Sequence, residues 1–209
     1  MPRVVKAHDE RKQELVKTAG ALFQERGFRN TSVSDIVSRT GVAQGTFYYY
    51  FESKEAVLEA ILRGLIDNVF MQVKTCCESK SEEAGLRLRM ILESFVDFSR
   101  SEDARIFRLL REEEQVLIAD RAREYWNRKL FPLLNSVIDQ GMREGVMKVE
   151  HRDETLLFFW KVFHAYCEGV FKGEEPRRLD VKRQLFEKLA NVLLGMENWT
   201  FRPEPERSA

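Results

Sequence analysis

Seven consecutive residues, Gln44-Gly45-Thr46-Phe47-Tyr48-Tyr49-Tyr50, hold most of the chemistry this sequence displays. Placed on a helix at about 100° per residue, Phe51 falls beside Phe47, and the two rings make a buried side. Gly45 and Tyr49 then point almost directly away, with Thr46 and Tyr48 on the flanks. An outer face of glycine, amide and hydroxyl carries no charge that would repel a phosphate backbone. Gly45 permits close approach, Thr46 offers a hydroxyl and a methyl to base edges, and Gln44 has the bidentate amide suited to adenine. Tyr48, Tyr49 and Tyr50 can donate to phosphate oxygens, which fixes register rather than sequence. The competing reading makes the three tyrosines half-buried packing residues. The flanking residues favour DNA.

Those flanking residues supply the frame. Ser32 followed by Asp35 resembles a capping box, with Asp shorter than the preferred Glu or Gln. Val33, Ile36 and Val37 form the apolar stripe of a helix about two turns long. Thr40-Gly41 ends it, Gly41 being free to take the left-handed backbone a tight turn needs. The second helix runs from Ala43 or Gln44 to Tyr50, and Ser53 caps a long helix starting at Lys54. Upstream, Leu15, Ala19, Leu22 and Phe23 stripe a further helix that stops at Arg26-Gly27, with Phe28 folding back. Ahead of it, Arg3, Lys6, Arg11 and Lys12 are placed to reach phosphates or a minor groove, the alternative being a frayed, solvated terminus. The pattern is a helix-turn-helix.

Charge agrees with this. The 209-residue chain is formally neutral, yet residues 1–54 hold nine Lys/Arg against six Asp/Glu, leaving a net −3 on the remainder. There is no 18-residue apolar run and no apolar leader in MPRVVKAHDERK, so neither a membrane span nor a signal peptide is expected. Cys76, Cys77 and Cys167 are odd in number and lack metal spacing, which points to reduced thiols in a cytoplasmic protein; Cys76-Cys77 is also a candidate thiol sensor. No phosphate-binding glycine loop, HExxH, H-x-E with C-x-x-C or nucleophile elbow occurs. His8, His151 and His164 are scattered, and Glu112-Glu113-Glu114 reads as a solvated face. No catalytic residue, metal site or cofactor is expected.

The rest of the chain is helical by pattern, giving an all-α protein of about nine helices. Helices are expected from Ser53 to about Cys77, from Ser81 to Arg100, around Ala104 to Arg111, and from Ala119 to Glu144, the last kinked or restarted at Pro132. Residues 155–171 are apolar on nearly every side, which predicts burial all round. Residues 180–197 carry Val181, Leu185, Leu189, Val192, Leu193 and Met196 on one face. Two such helices have more apolar surface than one small body needs. They predict a homodimer joined by a four-helix bundle, with Phe158, Val162, Leu185, Leu189, Val192, Leu193 and Met196 at the interface. The domains read as 1–52 for the helix-turn-helix, 53–198 for the helical body and 199–209 for a flexible tail.

Residues 8–62 resemble the N-terminal domain of the tetracycline-repressor (TetR) family of bacterial regulators. The matching stretches are ALFQERGFRNTSVSDIV, TGVAQGTFYYYF and SKEAVLEAIL. The resemblance implies DNA contacts from Gln44, Gly45, Thr46, Tyr48, Tyr49 and Tyr50, and a phosphate contact from Lys54. It implies that Ser32 caps its helix beside a phosphate. Ser34 stands where some members read a base with a longer basic side chain, and Tyr50 where the family often has His. The resemblance also implies a body that holds a small effector, for which Phe95, Phe98, Phe107, Tyr125, Trp126, Phe159, Phe163, His164 and Tyr166 are candidate lining; ordinary core is the competing reading for each. That lining suits a hydrophobic or planar ligand. The function implied is a ligand-responsive repressor bound as a homodimer to a pseudo-palindromic operator. The alternative is an all-helical adaptor or ligand-binding protein without sequence-specific DNA binding.

Overall fold

The computed structural model describes residues 8–77, 83–107 and 116–201, of which 75–77 are described as helix only. These residues include the α-helices α1 His8–Arg26, α2 Val33–Thr40, α3 Gln44–Tyr50, α4 Lys54–Cys77, α5 Ala84–Arg100, α6 Val116–Arg143, α7 Arg152–Phe171 and α8 Pro176–Leu194, with further helix at 105–107. A 3-10 turn occupies Glu102–Ala104, and no strand occurs among the described residues. The described residues fall into two compact units, one drawn from the stretches up to Asp67 and Arg105–Trp126, the other from Asn68–Ala104 and from Asn127 onward.

The first unit is wider than the 1–52 domain expected from sequence, for a visible reason. Along α4 and the start of α6, the Tyr125 hydroxyl donates to Asp67 Oδ1 at 2.7 Å, and the Arg63 guanidinium lies 5.3 Å from the Tyr125 ring. Glu59 pairs with Arg63 at 2.6 Å and Arg121 at 3.3 Å. Within this unit α1 packs on α2 and α2 on α3 around Leu15, Ala19, Leu22, Phe23, Ile36 and Phe47, none of them exposed. Thr31 is buried with them because its hydroxyl donates to the Gly27 carbonyl at 2.8 Å.

In the second unit α5 buries Leu88, Ile91, Leu92, Phe95 and Val96, the stripe that its spacing predicts. Its first N–H is met from afar: Ala84 N donates to Glu144 Oε2 at 2.9 Å, a bond that holds the Glu144 carboxyl below its usual range. α7 packs against α5 and α8. Between them Phe159, Phe163, Tyr166 and Phe186 form a ring cluster that also takes in Trp199 and Phe201.

Three sequence expectations are corrected here. The tail does not begin at 199: Trp199 and Phe201 are buried, Asn191 brackets the Trp199 backbone with two hydrogen bonds, and Phe201 N donates to Glu187 Oε1 at 2.7 Å. α6 does not restart at Pro132 but runs through it as one helix; the proline is exposed, so water can replace the donor it lacks. α7 is not buried all round, since Leu157, Phe158, Lys161, His164 and Ala165 share an exposed stripe. The reading around Ala104–Arg111 is met as helix at 105–107, and its remainder lies outside the described residues. Arg3, Lys6 and Glu112-Glu113-Glu114 lie outside them too, as do the side chains of Cys76 and Cys77.

Candidate nucleic-acid interface

The site is assembled from caps. Ser32 Oγ accepts from Asp35 N at 3.1 Å while Asp35 Oδ2 accepts from Ser32 N at 2.8 Å, so the capping box closes in both directions despite the short acid. The Ser32 hydroxyl also donates to Asp35 at 2.6 Å, and these bonds hold the Asp35 carboxyl below its usual range. Gly41 then turns the chain with φ 71° and ψ 33°, its N–H returning to the end of α2. α3 follows at once. Arg39–Glu25 at 2.6 Å and Arg26–Asp35 at 3.4 Å clip α2 to α1.

α3 is anchored by Phe47, fully buried, and by Phe51, whose rings stand 6.0 Å apart. The opposite face is open. Tyr48 is 52% and Tyr49 72% exposed, Gln44 and Gly45 are exposed, and Thr46 and Tyr50 are half-buried. A methyl added at Gly45 would meet nothing within 4 Å, so the fold itself does not require glycine there. Ser32 and Ser34 are exposed beside this face. Of the residues expected from sequence to face DNA, Ser32, Ser34, Gln44, Gly45, Tyr48 and Tyr49 are thus exposed, at the start of α2 and along α3.

Lys54, for which the resemblance implied a phosphate contact, is half-buried at the start of α4. Its ammonium donates to the Phe28 carbonyl at 2.6 Å and lies 4.2 Å from the Phe28 ring centroid, tying the start of α4 to the turn after α1. Of the upstream cations, Arg11 pairs with Glu14 at 2.5 Å and Lys12 lies 5.7 Å from the Phe51 ring. From sequence His8 is one of three scattered histidines, with no role beside the cations of that segment. Its ring stands 4.8 Å from that of Tyr50 and 5.7 Å from that of Tyr49. No local motif announces this contact, because α1 and α3 meet only in the fold.

The nine effector-lining candidates are divided between the two units. Phe107, Tyr125 and Trp126 belong to the first unit and the other six to the second. Phe95 packs between Phe70 and Trp160, Phe159, Phe163 and Tyr166 sit in the closed ring cluster, Phe98 is half-buried, and His164 is exposed. A small apolar recess in the second unit, too narrow for water, is lined by Leu88, Leu134, Ile138, Met147, Leu156, Phe159 and Leu194. Only Phe159 was foreseen. Cys167 lies buried nearby in sequence, its thiol pushed up to about 12 by burial. Of the seven interface candidates, Phe158, Leu185, Leu189 and Val192 are exposed, while Val162, Leu193 and Met196 are half-buried.

Residues 15–61 match the family described as "Bacterial regulatory proteins, tetR family". The HTH-type transcriptional repressor KstR2 of Rhodococcus jostii (strain RHA1) is 30% identical over 140 residues, which take in 65% of this chain and 67% of that protein. Among solved structures, the fatty acid degradation regulator FadR from Bacillus halodurans superposes with a TM-score of 0.65 at 17% identity, covering 90% of this chain and 97% of its own. The ketosteroid transcriptional regulator KstR2 of Mycobacterium tuberculosis gives 0.57 at 23% identity, covering 91% and 98%. At such identities these two structures establish the fold alone.

Proposed function

The chain belongs to the TetR family of bacterial regulatory proteins, and on that premise we propose that it is a repressor, bound as a homodimer to a pseudo-palindromic operator and released by a small hydrophobic effector. It is a transcriptional regulator rather than an enzyme, as its relatives are. The observation that carries the finer reading is the outward face of α3, with Gln44, Gly45, Thr46, Tyr48 and Tyr49 open to solvent or nearly so above a buried Phe47.

On that face each group has a role. Gln44 and Thr46 read base edges, Gly45 lets the helix backbone close on the groove, and the tyrosine hydroxyls donate to phosphates to fix register. One α3 reads one half-site. Two are brought together by the exposed stripes of α7 and α8, where Phe158 is 57% and Val192 78% exposed. Val181, Leu185, Leu189 and Val192 recur along one side of α8, an apolar face that asks for a partner. Meeting successive major grooves requires the two α3 helices about 34–36 Å apart, or a multiple of that spacing. A hydrophobic effector is suggested by similar regulators named for fatty acid degradation and ketosteroid regulation. Such an effector acts by shifting the population toward dimers whose reading helices no longer match that spacing.

Gel shifts with the DNA flanking the protein's own gene test this. Binding should be sequence-selective and should weaken steeply between about 50 and 200 mM salt. Absence of any selective shift would sink the repressor reading.

A further inference from the structure

Three polar-tipped rings meet outside the phenylalanine core of the first unit. His8 stands 4.8 Å from Tyr50 and 5.7 Å from Tyr49, and the two tyrosines stand 4.9 Å apart, edge to face. Each ring touches the other two. The His8 side chain is 59% exposed and Tyr49 72%, so the cluster removes little surface from water and does little for the fold. Its members come from two different helices of the unit. His8 is the first residue of α1, whose own place is fixed by buried Leu15, Ala19 and Leu22, while Tyr49 and Tyr50 end the seven-residue α3. His8 Nδ1 lies 3.3 Å from Asp9 Oδ1, which orients the imidazole.

Resting on the DNA-binding reading above, we propose that His8 is a positioning residue of the recognition surface. Its imidazole closes the three-ring cluster and holds the Tyr49 and Tyr50 hydroxyls in the direction they need at the duplex. An exposed tyrosine with no neighbour sweeps several rotamers and loses that freedom on binding; a ring already braced loses less. The brace is therefore felt in affinity rather than in stability. Ordering two otherwise free side chains on binding is of a size to change a dissociation constant about tenfold.

The test uses the full chain and a duplex enriched by the wild-type protein from a random-sequence pool. His8→Ala should weaken binding to that duplex about tenfold with the melting temperature unchanged. His8→Phe, which restores a ring without the imidazole nitrogens, should return affinity to within about threefold of wild type. NMR of the free protein should show cross-relaxation between His8 ring protons and those of both tyrosines. Wild-type affinity in His8→Ala, or absent cross-relaxation, overturns the proposal. So does equal weakness in both variants, which would make the imidazole a direct DNA contact. A wild-type protein that enriches no duplex defeats the DNA-binding reading itself, and that outcome is separate from any variant's behaviour.

Discussion

Gly41 and Gly45 look alike in sequence and do opposite work. Gly41 sits at φ 71°, where an L side chain is strained, whereas Gly45 has helical backbone and open space where a methyl would go. Gly41→Ala should cost about 1–2 kcal/mol of stability in thermal or urea unfolding. Gly45→Ala should leave the melting temperature unchanged or raised, because alanine favours helix, while weakening DNA binding through the methyl it puts against the groove. Fluorescence anisotropy alongside the melts separates the two. Asp35 gives a pH prediction. Its folded pKa is depressed, first by the Ser32 hydroxyl, so the capping box adds stability above the ordinary carboxylate value of about 4 and loses it as pH falls through the lower folded value. Ser32→Ala should move the Asp35 titration, followed by NMR, back toward that ordinary value; an unmoved titration would contradict the cap.

Among the elements, legibility followed the range of the causes. α2, its glycine turn and α3 could be read from sequence to within a residue, because Ser32, Gly41 and Ser53 act on neighbours a few positions away. The Trp199–Phe201 segment could not be. Its partners are Gly85, Asn191 and Glu187, one of them more than a hundred residues distant, and only the fold brings them to it. The α7 stripe misled for a similar reason: Leu157, Phe158 and Ala165 outweigh Lys161 and His164 in composition, which does not say whether a neighbour covers that side. His8 was overlooked because its ring contacts cross from α1 to α3. Since Phe201 is wholly buried, Phe201→Ala should lower unfolding stability by about 3–5 kcal/mol, measured by urea titration. A change below about 1 kcal/mol would show that the segment is only draped on the surface. The buried Cys167 thiol, pushed up to about 12, should resist thiol reagents in the folded protein and react on unfolding.

At the scale of the whole molecule the account needs two reading surfaces presented together. Leu185→Glu with Leu189→Glu should turn a dimer into a monomer by light scattering, because charge would replace the apolar face of α8. The same variant should lose binding to a full pseudo-palindrome while α1–α3 stay folded. The claim beneath all of this is that the outward face of α3 reads base sequence. The most direct measurement is the affinity ratio between a duplex selected by the wild-type protein and random-sequence DNA, taken at one fixed salt concentration for wild type and for Gln44→Ala with Thr46→Ala. The account predicts a large ratio for the wild type and its collapse in the variant, with random-sequence binding nearly unchanged because the phosphate contacts remain. A folded variant that keeps the full wild-type ratio would contradict it.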